Sequence, residues 1–412
     1  MHVYRDIAKT SLLSMMLFLS LISFSFSSSS DMAYAEKNTV KGPPDTWEGH
    51  PPIHVKREAA ASPTGITPAQ IRYAYGFEKL TCSYTGTFGS SNLCGYGQTI
   101  AIVDAYDDPN AQKDLTTFST KFGLPACTNL NGCFTKVMSN GPTKSDHGWA
   151  LEESLDVQWA HAIAPGAKII LVESKSANFP DLMNAVDYAV GKGANQVSMS
   201  WGGSEFSSEL SYDSHFNKNN ISFFASSGDS GNGTMYPAVS PYVIAVGGTT
   251  LNVDNLGNVS SETGWSGSGG GTSIYEAEQP YQINYGILSD NKRAIPDVSY
   301  DGDPSTGVPV YDSLGYQGTK GWFQVGGTSA GAPQWAALSA IVNSQRPSPM
   351  SSISYGTNTL VYGGATGINY PSDFRDIVSG SNGGFVAGTG YDLVTGVGSP
   401  LSNGLVSYML TH

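Results

Sequence analysis

The chain predicts an α/β fold in which a mostly parallel sheet is covered by helices on both faces. Three observations carry this. Short apolar runs recur at 99–104, 167–172 and 196–202. Helix-like stretches lie between them, so strand and helix alternate along the chain. The runs are apolar throughout rather than at every second residue, which marks strands buried on both faces. No internal repeat is present, and the ~345 residues from Thr67 onward suit one large domain.

The elements follow in order. Residues 1–35 read as a secretory signal. His2, Arg5 and Lys9 form a polar start, 12–26 is an apolar core broken only by serines, and Ala33-Tyr34-Ala35 is a cleavage site. That core is short for a spanning helix, and no other stretch is long and apolar enough to span a bilayer. Residues 36–66, rich in Pro, Lys, Glu and Ala, read as a linker. Thr67-Pro68 then opens a helix with proline in its first position, which starts the folded domain, 67–412. Cys82 and Cys94 bracket one short loop, and Cys127 and Cys133 another. In an exported chain these read as disulfides, nearest neighbours giving two small loops, although four cysteines allow three pairings. After the strand at 99–104 comes a helix from about Pro109. A helix over 149–160 ends before Ala164-Pro165-Gly166, and further helices are expected at about 180–190 and 334–342. The apolar strand 221–225 runs into Ser226-Ser227-Gly228-Asp229-Ser230-Gly231, and strand ends are where sites gather in α/β sheets.

Composition excludes some functions. Charged residues are 13% and the net charge is −13. So acidic and lysine-poor a surface argues against nucleic acid. The glycines at 267–271 are followed by no Lys-Ser/Thr pair, so they are not a phosphate loop.

The chemistry centres on Gly326-Gly327-Thr328-Ser329-Ala330-Gly331-Ala332-Pro333 and the apolar helix behind it. This places Ser329 near a helix N-terminus, where free N–H groups and the helix dipole favour a developing anion. Such a serine is a nucleophile if a base reaches it. Of seven histidines, only His147 has a setting worth weighing, and its plainer reading is a surface loop residue. Carboxylates are better placed. Glu152 and Asp156 are four apart on one helix face, where two anions repel and share a proton. Asp229 adds a third acid.

Taken together, these residues resemble the sedolisins, the serine-carboxyl peptidases. Ser329 lies in their Gly-Thr-Ser-Ala motif, Glu152 and Asp156 have the spacing of their base and its partner, and Asp229 matches their oxyanion aspartate. The segments 236–249, 268–273 and 295–299 also match, and the resemblance runs from about Thr67 to the C-terminus. It implies a subtilisin-like three-layer sandwich and a monomeric, secreted endopeptidase acting on protein or peptide substrates. Glu152 would take the proton of Ser329, Asp156 would orient Glu152, and Asp229 would meet the oxyanion as a neutral acid. A glutamate, which in a simple peptide titrates at about 4.3, remains a base at acid pH where histidine does not. Activity is therefore expected there, to be lost as Asp229 ionises. Glu153 is the rival base, about 100° round the helix from Glu152. Ser200-Trp201-Gly202 resembles the edge that pairs with substrate backbone. The resemblance further implies one structural Ca²⁺, held by Asp376 and Asp392 with the carbonyls of Ile377, Gly388 and Gly390. Two acids around a glycine-rich loop supply the hard oxygens that ion takes. Sedolisins usually carry a long prosegment. The 36–66 stretch would be at most a short remnant of one, so activation by removing a large prosegment is not expected. Two other readings stay open: a subtilisin-type enzyme using His147 and Asp104, and a secreted binding protein on the same fold.

Overall fold

The computed structural model describes residues 47–82, 85–141 and 143–412, with residues 57–59 given by backbone alone. The elements that place the site are β1 (His54–Ala60), α1 (Pro68–Ala74), β2 (Thr99–Ala105), α2 (Ala111–Phe122), β3 (Phe134–Met138), α3 (His147–Ile163), β4 (Lys168–Ser174), α4 (Phe179–Gly191) and β5 (Gln196–Met199). They continue with β6 (Ser222–Ser226), β7 (Val243–Val253), β8 (Val259–Gly264), β9 (Gly271–Ala277), α5 (Pro280–Tyr285), β10 (Lys292–Ile295), β11 (Val298–Asp301), β12 (Val308–Tyr316), β13 (Thr319–Gly326) and α6 (Gly331–Asn343). The main sheet has the order β11-β7-β6-β5-β2-β4-β3, with β8 added beside β7. All pairs along that path are parallel, and only β7–β8 is antiparallel.

Its central strands are buried on both faces, as the uniform apolar runs require. On β2, Ile100 and Ile102 join Leu151 and Leu155 of α3 and Trp335 and Ile341 of α6 in one core. The intervening Ala101 and Val103 join Phe179 and Leu182 of α4 in the other. This is the period-two alternation of a strand dividing two cores. Each such leucine or isoleucine contributes roughly 1.5–3 kcal/mol when fully buried.

Helix α3 sets the geometry of the site. Asp146 caps it, its carboxylate accepting from the Gly148 and Trp149 N–H groups at 2.9 and 3.1 Å. Every residue from Trp149 to Ile163 is buried. One side meets the main sheet; on another, Gln158 exchanges hydrogen bonds with the Tyr311 backbone of β12 at 2.7 and 2.9 Å. A helix covered all round places every carboxylate it carries out of reach of water.

Several expectations need correction. The signal read over 1–35 and the stretch 36–46 lie outside the described residues. From Trp47 onward, however, the expected linker is folded. Trp47 is buried, and β1 pairs antiparallel with β13, which pairs with β12 in a separate three-stranded sheet. Here strand pairing overrides a proline-rich composition. The strand expected over 196–202 leaves the sheet after Met199, and the helix expected from Pro109 starts at Ala111. Disulfides join Cys82 to Cys94 and Cys127 to Cys133, the nearest-neighbour pairing.

Candidate active site

Ser329 sits where β13 gives way to α6. The chain turns at Gly327, with φ of +130°, and a 3-10 turn over Thr328–Ala330 runs straight into the helix. A Cβ at Gly327 would stand 2.0 Å from the Pro52 carbonyl oxygen and 2.7 Å from Asp229 Oδ2. Only glycine leaves that space open. Ser329 is fully buried, and its hydroxyl donates to the Pro52 carbonyl at 2.8 Å.

Glu152 and Asp156 are brought to this serine on the inward face of α3. Glu152 faces the hydroxyls of Ser329 and Ser200, and Asp156 faces Ser200 and Glu152. Both carboxyls are completely buried, and with the Ser329 hydrogen committed to Pro52 their oxygens lack hydrogen-bond partners. Burial pushes both well above the ordinary carboxylate range, and buried Asp104, from β2, pushes both further. Three acids this close in a dry site cannot all ionise, so the cluster retains protons that a reaction can move.

Glu153 faces elsewhere. Its neighbours are Glu173, Asp108, Asp104 and Lys136, the last paired with Glu173 at 3.0 Å; Asp104 is shared with the Glu152 side. The turn of the helix thus separates two adjacent glutamates, and only Glu152 looks at the serine.

Asp229, on the loop after β6, meets the turn that carries Ser329 at its neighbour Thr328. Its Oδ1 accepts from the Thr328 N–H and hydroxyl, each at 2.8 Å. Its Oδ2 is left toward the cleft. The side chain is 6% exposed. Burial raises its pKa to about 8, against the opposing bonds from Thr328. A carboxyl in that state carries a hydrogen at neutral pH and below, and can donate it to an oxyanion.

The imidazole expected as a possible base is elsewhere. His147 opens α3, and its Nδ1 meets the Gly315 carbonyl at 2.6 Å. Asp104, its proposed partner, lies instead among the buried acids, close to Glu173 as well as to Glu152, Glu153 and Asp156. The histidine that does reach the site is His54, whose Nε2 lies 3.3 Å from Asp229 Oδ2. Sequence reasoning missed it. The alternation Ile53-His54-Val55-Lys56 was the available signal for a strand there.

A model of the subtilase family matches residues 140–360, more than half of the chain. Kumamolisin of Bacillus sp. (strain MN-32) is 30% identical over 396 residues, a match covering 86% of this chain and 65% of that protein. Sedolisin of Pseudomonas sp. (strain 101) is 27% identical over 414 residues, covering 88% and 65%. The solved structure of Pseudomonas sedolisin, a serine-carboxyl proteinase complexed with two molecules of pseudo-iodotyrostatin, aligns with a TM-score of 0.69 at 26% identity. That alignment covers 85% of this chain and 99% of the other.

The chain belongs to the sedolisin family.

It spans about two thirds, 65%, of the length of kumamolisin and sedolisin. The subtilisin-like fold is the one the sequence implied. No described helix of this sedolisin relative is long and apolar enough to cross a membrane.

The loop expected to hold an ion is compact. The Gly390 N–H donates to Asp376 Oδ1 at 3.0 Å, as does the Tyr370 hydroxyl at 3.1 Å. Asp392 accepts from the N–H groups of Gly388 at 3.1 Å and of Val394 and Thr395 at 2.8 Å. Ile377, between the acids, is buried. Burial raises the Asp392 carboxyl above its usual range. A divalent cation would oppose that by holding it ionised, and the all-oxygen donor set suits a hard ion. The fit is better at Asp376, because the Asp392 oxygens already accept four hydrogen bonds, the fourth from the Thr395 hydroxyl.

Proposed function

We propose that this protein is a secreted serine-carboxyl endopeptidase that hydrolyses peptide bonds in proteins at acid pH. The reading rests on one observation above all: a buried carboxyl, Glu152, and not an imidazole, faces the Ser329 hydroxyl.

Ser329 would attack the peptide carbonyl while Glu152 takes its proton, a step open only to molecules in which Glu152 is ionised, since burial and Asp104 raise its carboxyl above the usual range. Asp156 would hold Glu152 in place and, by keeping a proton between them, tune when Glu152 is free to act. Asp229 would donate its hydrogen to the oxyanion, a contribution of roughly 3–4 kcal/mol where such donors have been removed. Its Oδ2, which accepts no hydrogen bond although His54 Nε2 lies 3.3 Å away, and its raised pKa support that role. Gly202, at the strand edge beyond β5, would pair with substrate backbone.

Asp376 and Asp392, with the carbonyls of Ile377, Gly388 and Gly390, would hold one Ca²⁺ that pins the loop, a structural role. The apolar leader at 12–26 and the two disulfides support export. A monomer is the expected state.

Casein hydrolysis between pH 2 and 9 tests the function. Activity on the acid side that disappears in both Ser329→Ala and Glu152→Gln is the expected result. A maximum near pH 8 that survives Glu152→Gln would contradict it, and no hydrolysis at any pH would leave a binding protein on this fold.

A further inference from the structure

We infer that, when the Cys127–Cys133 disulfide is open, its two thiols and His161 form a binding site for a thiophilic divalent cation, Zn²⁺. The site shares no residue with the Ser329 cluster or with the loop at 376–392, and it does not depend on the peptidase reading.

The ligand atoms are already together. The sulfurs of Cys127 and Cys133 and a ring nitrogen of His161 lie within 4.8 Å of one another, and all three residues are fully buried. Among the described residues this is the one group of three or more histidine, cysteine and acidic side chains gathered so closely. His161 Nε2 meets the Pro125 carbonyl at 2.8 Å, so the ring carries its hydrogen there. Nδ1 has no hydrogen-bond partner and keeps its lone pair. Buried polar atoms left without a partner are rare. A histidine that donates from one nitrogen to a carbonyl and offers the other is the usual arrangement of a metal ligand. Burial lowers the ring to about 4, so it stays neutral, as ligation requires.

The loop keeps its shape without the covalent bond. Asn131 Nδ2 donates to the Ala126 carbonyl at 2.7 Å, and its Oδ1 accepts from the Thr128 and Cys133 N–H groups at 3.0 and 3.1 Å. The Cys133 carbonyl accepts from the Ile169 N–H at 2.7 Å, which ties the loop to β4. His161 is fixed on α3, buried along its length from Trp149. Reduction therefore frees two sulfurs that remain beside the histidine. The Cα atoms of the two cysteines are 4.9 Å apart. A tetrahedral ion needs its two sulfurs about 3.8 Å apart, on bonds of about 2.3 Å. Rotation of the two side chains reaches that separation. The Ala167 carbonyl, 3.8 Å from Cys133 Sγ, stands beside the same space, and it or a water would complete the shell.

Donor softness selects the ion. Two thiolates and an imidazole suit Zn²⁺, whereas the carboxylates and carbonyls at 376–392 suit Ca²⁺. The steps balance. A phosphine and one water convert the disulfide into two thiols and a phosphine oxide. Zn²⁺ then displaces the two thiol hydrogens, which leave as protons. Exchange with a small disulfide, itself reduced to two thiols with uptake of two protons, restores the Cys127–Cys133 bond and releases the ion. The loop between α2 and β3 thus has two alternative clamps: an ion while its thiols are reduced, and a covalent bond once they are oxidised.

The test uses the full chain at pH 7.5, reduced with a phosphine or left oxidised, and dialysed against Zn²⁺ in excess Ca²⁺. The expected result is one more Zn²⁺ per chain in the reduced protein than in the oxidised one. Zinc X-ray absorption should show two sulfurs and an imidazole in the shell. Zinc should raise the thermal midpoint of the reduced chain and not of the oxidised one. Cys82→Ser with Cys94→Ser should keep the ion, and Cys127→Ser with Cys133→Ser should lose it. His161→Ala should bind at least about 100-fold more weakly, since loss of a group behind a ligand already lowers affinity about 10–100-fold. Equal zinc in both redox forms, a shell without two sulfurs, or binding that survives in Cys127→Ser with Cys133→Ser would each overturn the inference. So would a reduced chain that stays unfolded by circular dichroism with zinc present. The absorption spectrum needs no variant, so it decides the matter where a substituted chain fails to fold.

Discussion

Two neighbouring glutamates on one helix have different surroundings, and at the residue scale that difference separates the proposed base from its rival. Glu152 looks at two serine hydroxyls, Glu153 at an acid cluster tied to Lys136. Replacing Asp229 with alanine removes the proposed oxyanion donor and should lower kcat by about 10²–10³, measured on a peptide substrate at pH 4. The same residue fixes the direction of the pH dependence. Its carboxyl is protonated below its raised value of about 8, so the donor is present in acid and disappears as pH rises through that value. Rates should therefore fall above about pH 8, and a flat alkaline limb would remove Asp229 from the role. Ser329, Glu152, Asp156 and Asp229 were legible in the sequence because each lies in a short local pattern. Pro52 and His54 were not. Pro52 meets Ser329 across 277 positions, and no local pattern reports a contact at that distance.

At the element scale, composition marked α3 but put its start two residues late. The missing signal was Asp146, whose carboxylate caps the first turn. Asp146→Ala should cost about 1 kcal/mol, seen as a lower midpoint in urea unfolding with an unchanged m-value. The β1–β13–β12 sheet was illegible for a different reason. Its β1 follows a Pro-rich stretch, and its partner lies more than 250 residues away, so local composition pointed to a linker while long-range pairing decided the structure. The loop carrying Asp376 and Asp392 gives a prediction of its own. If it holds Ca²⁺, excess chelator should lower the thermal midpoint before it alters the rate at low temperature, and a midpoint unchanged by chelator would remove the ion from the account.

For the whole molecule, burial of acids makes acid stability a property of the fold. Besides the Ser329 cluster, burial raises Glu209 and Glu276 to about 9 and Asp108 and Glu173 to about 7. Groups raised in this way bind more protons folded than unfolded. Their contribution is complete below about pH 4 and is lost as pH climbs through the folded values, each group reducing stability by about 1.4 kcal/mol per pH unit in that window. His161 acts in the opposite sense. Burial lowers it to about 4, so its contribution is complete above about pH 6.5 and is lost as pH falls through 4. The acids outnumber it, so the thermal midpoint should be higher at pH 4.5 than at pH 8, as circular dichroism would show. The parallel sheet was legible at this scale because uniform apolar runs admit one architecture, whereas the buried acids were not, since exposure cannot be read from a letter. What remains central is the identity of the base, and the rate of casein hydrolysis at pH 4 by Glu152→Gln beside Glu153→Gln tests it. A loss of at least about 100-fold is expected in the first and less than about tenfold in the second; equal losses, or an active Glu152→Gln, would contradict Glu152 as the base.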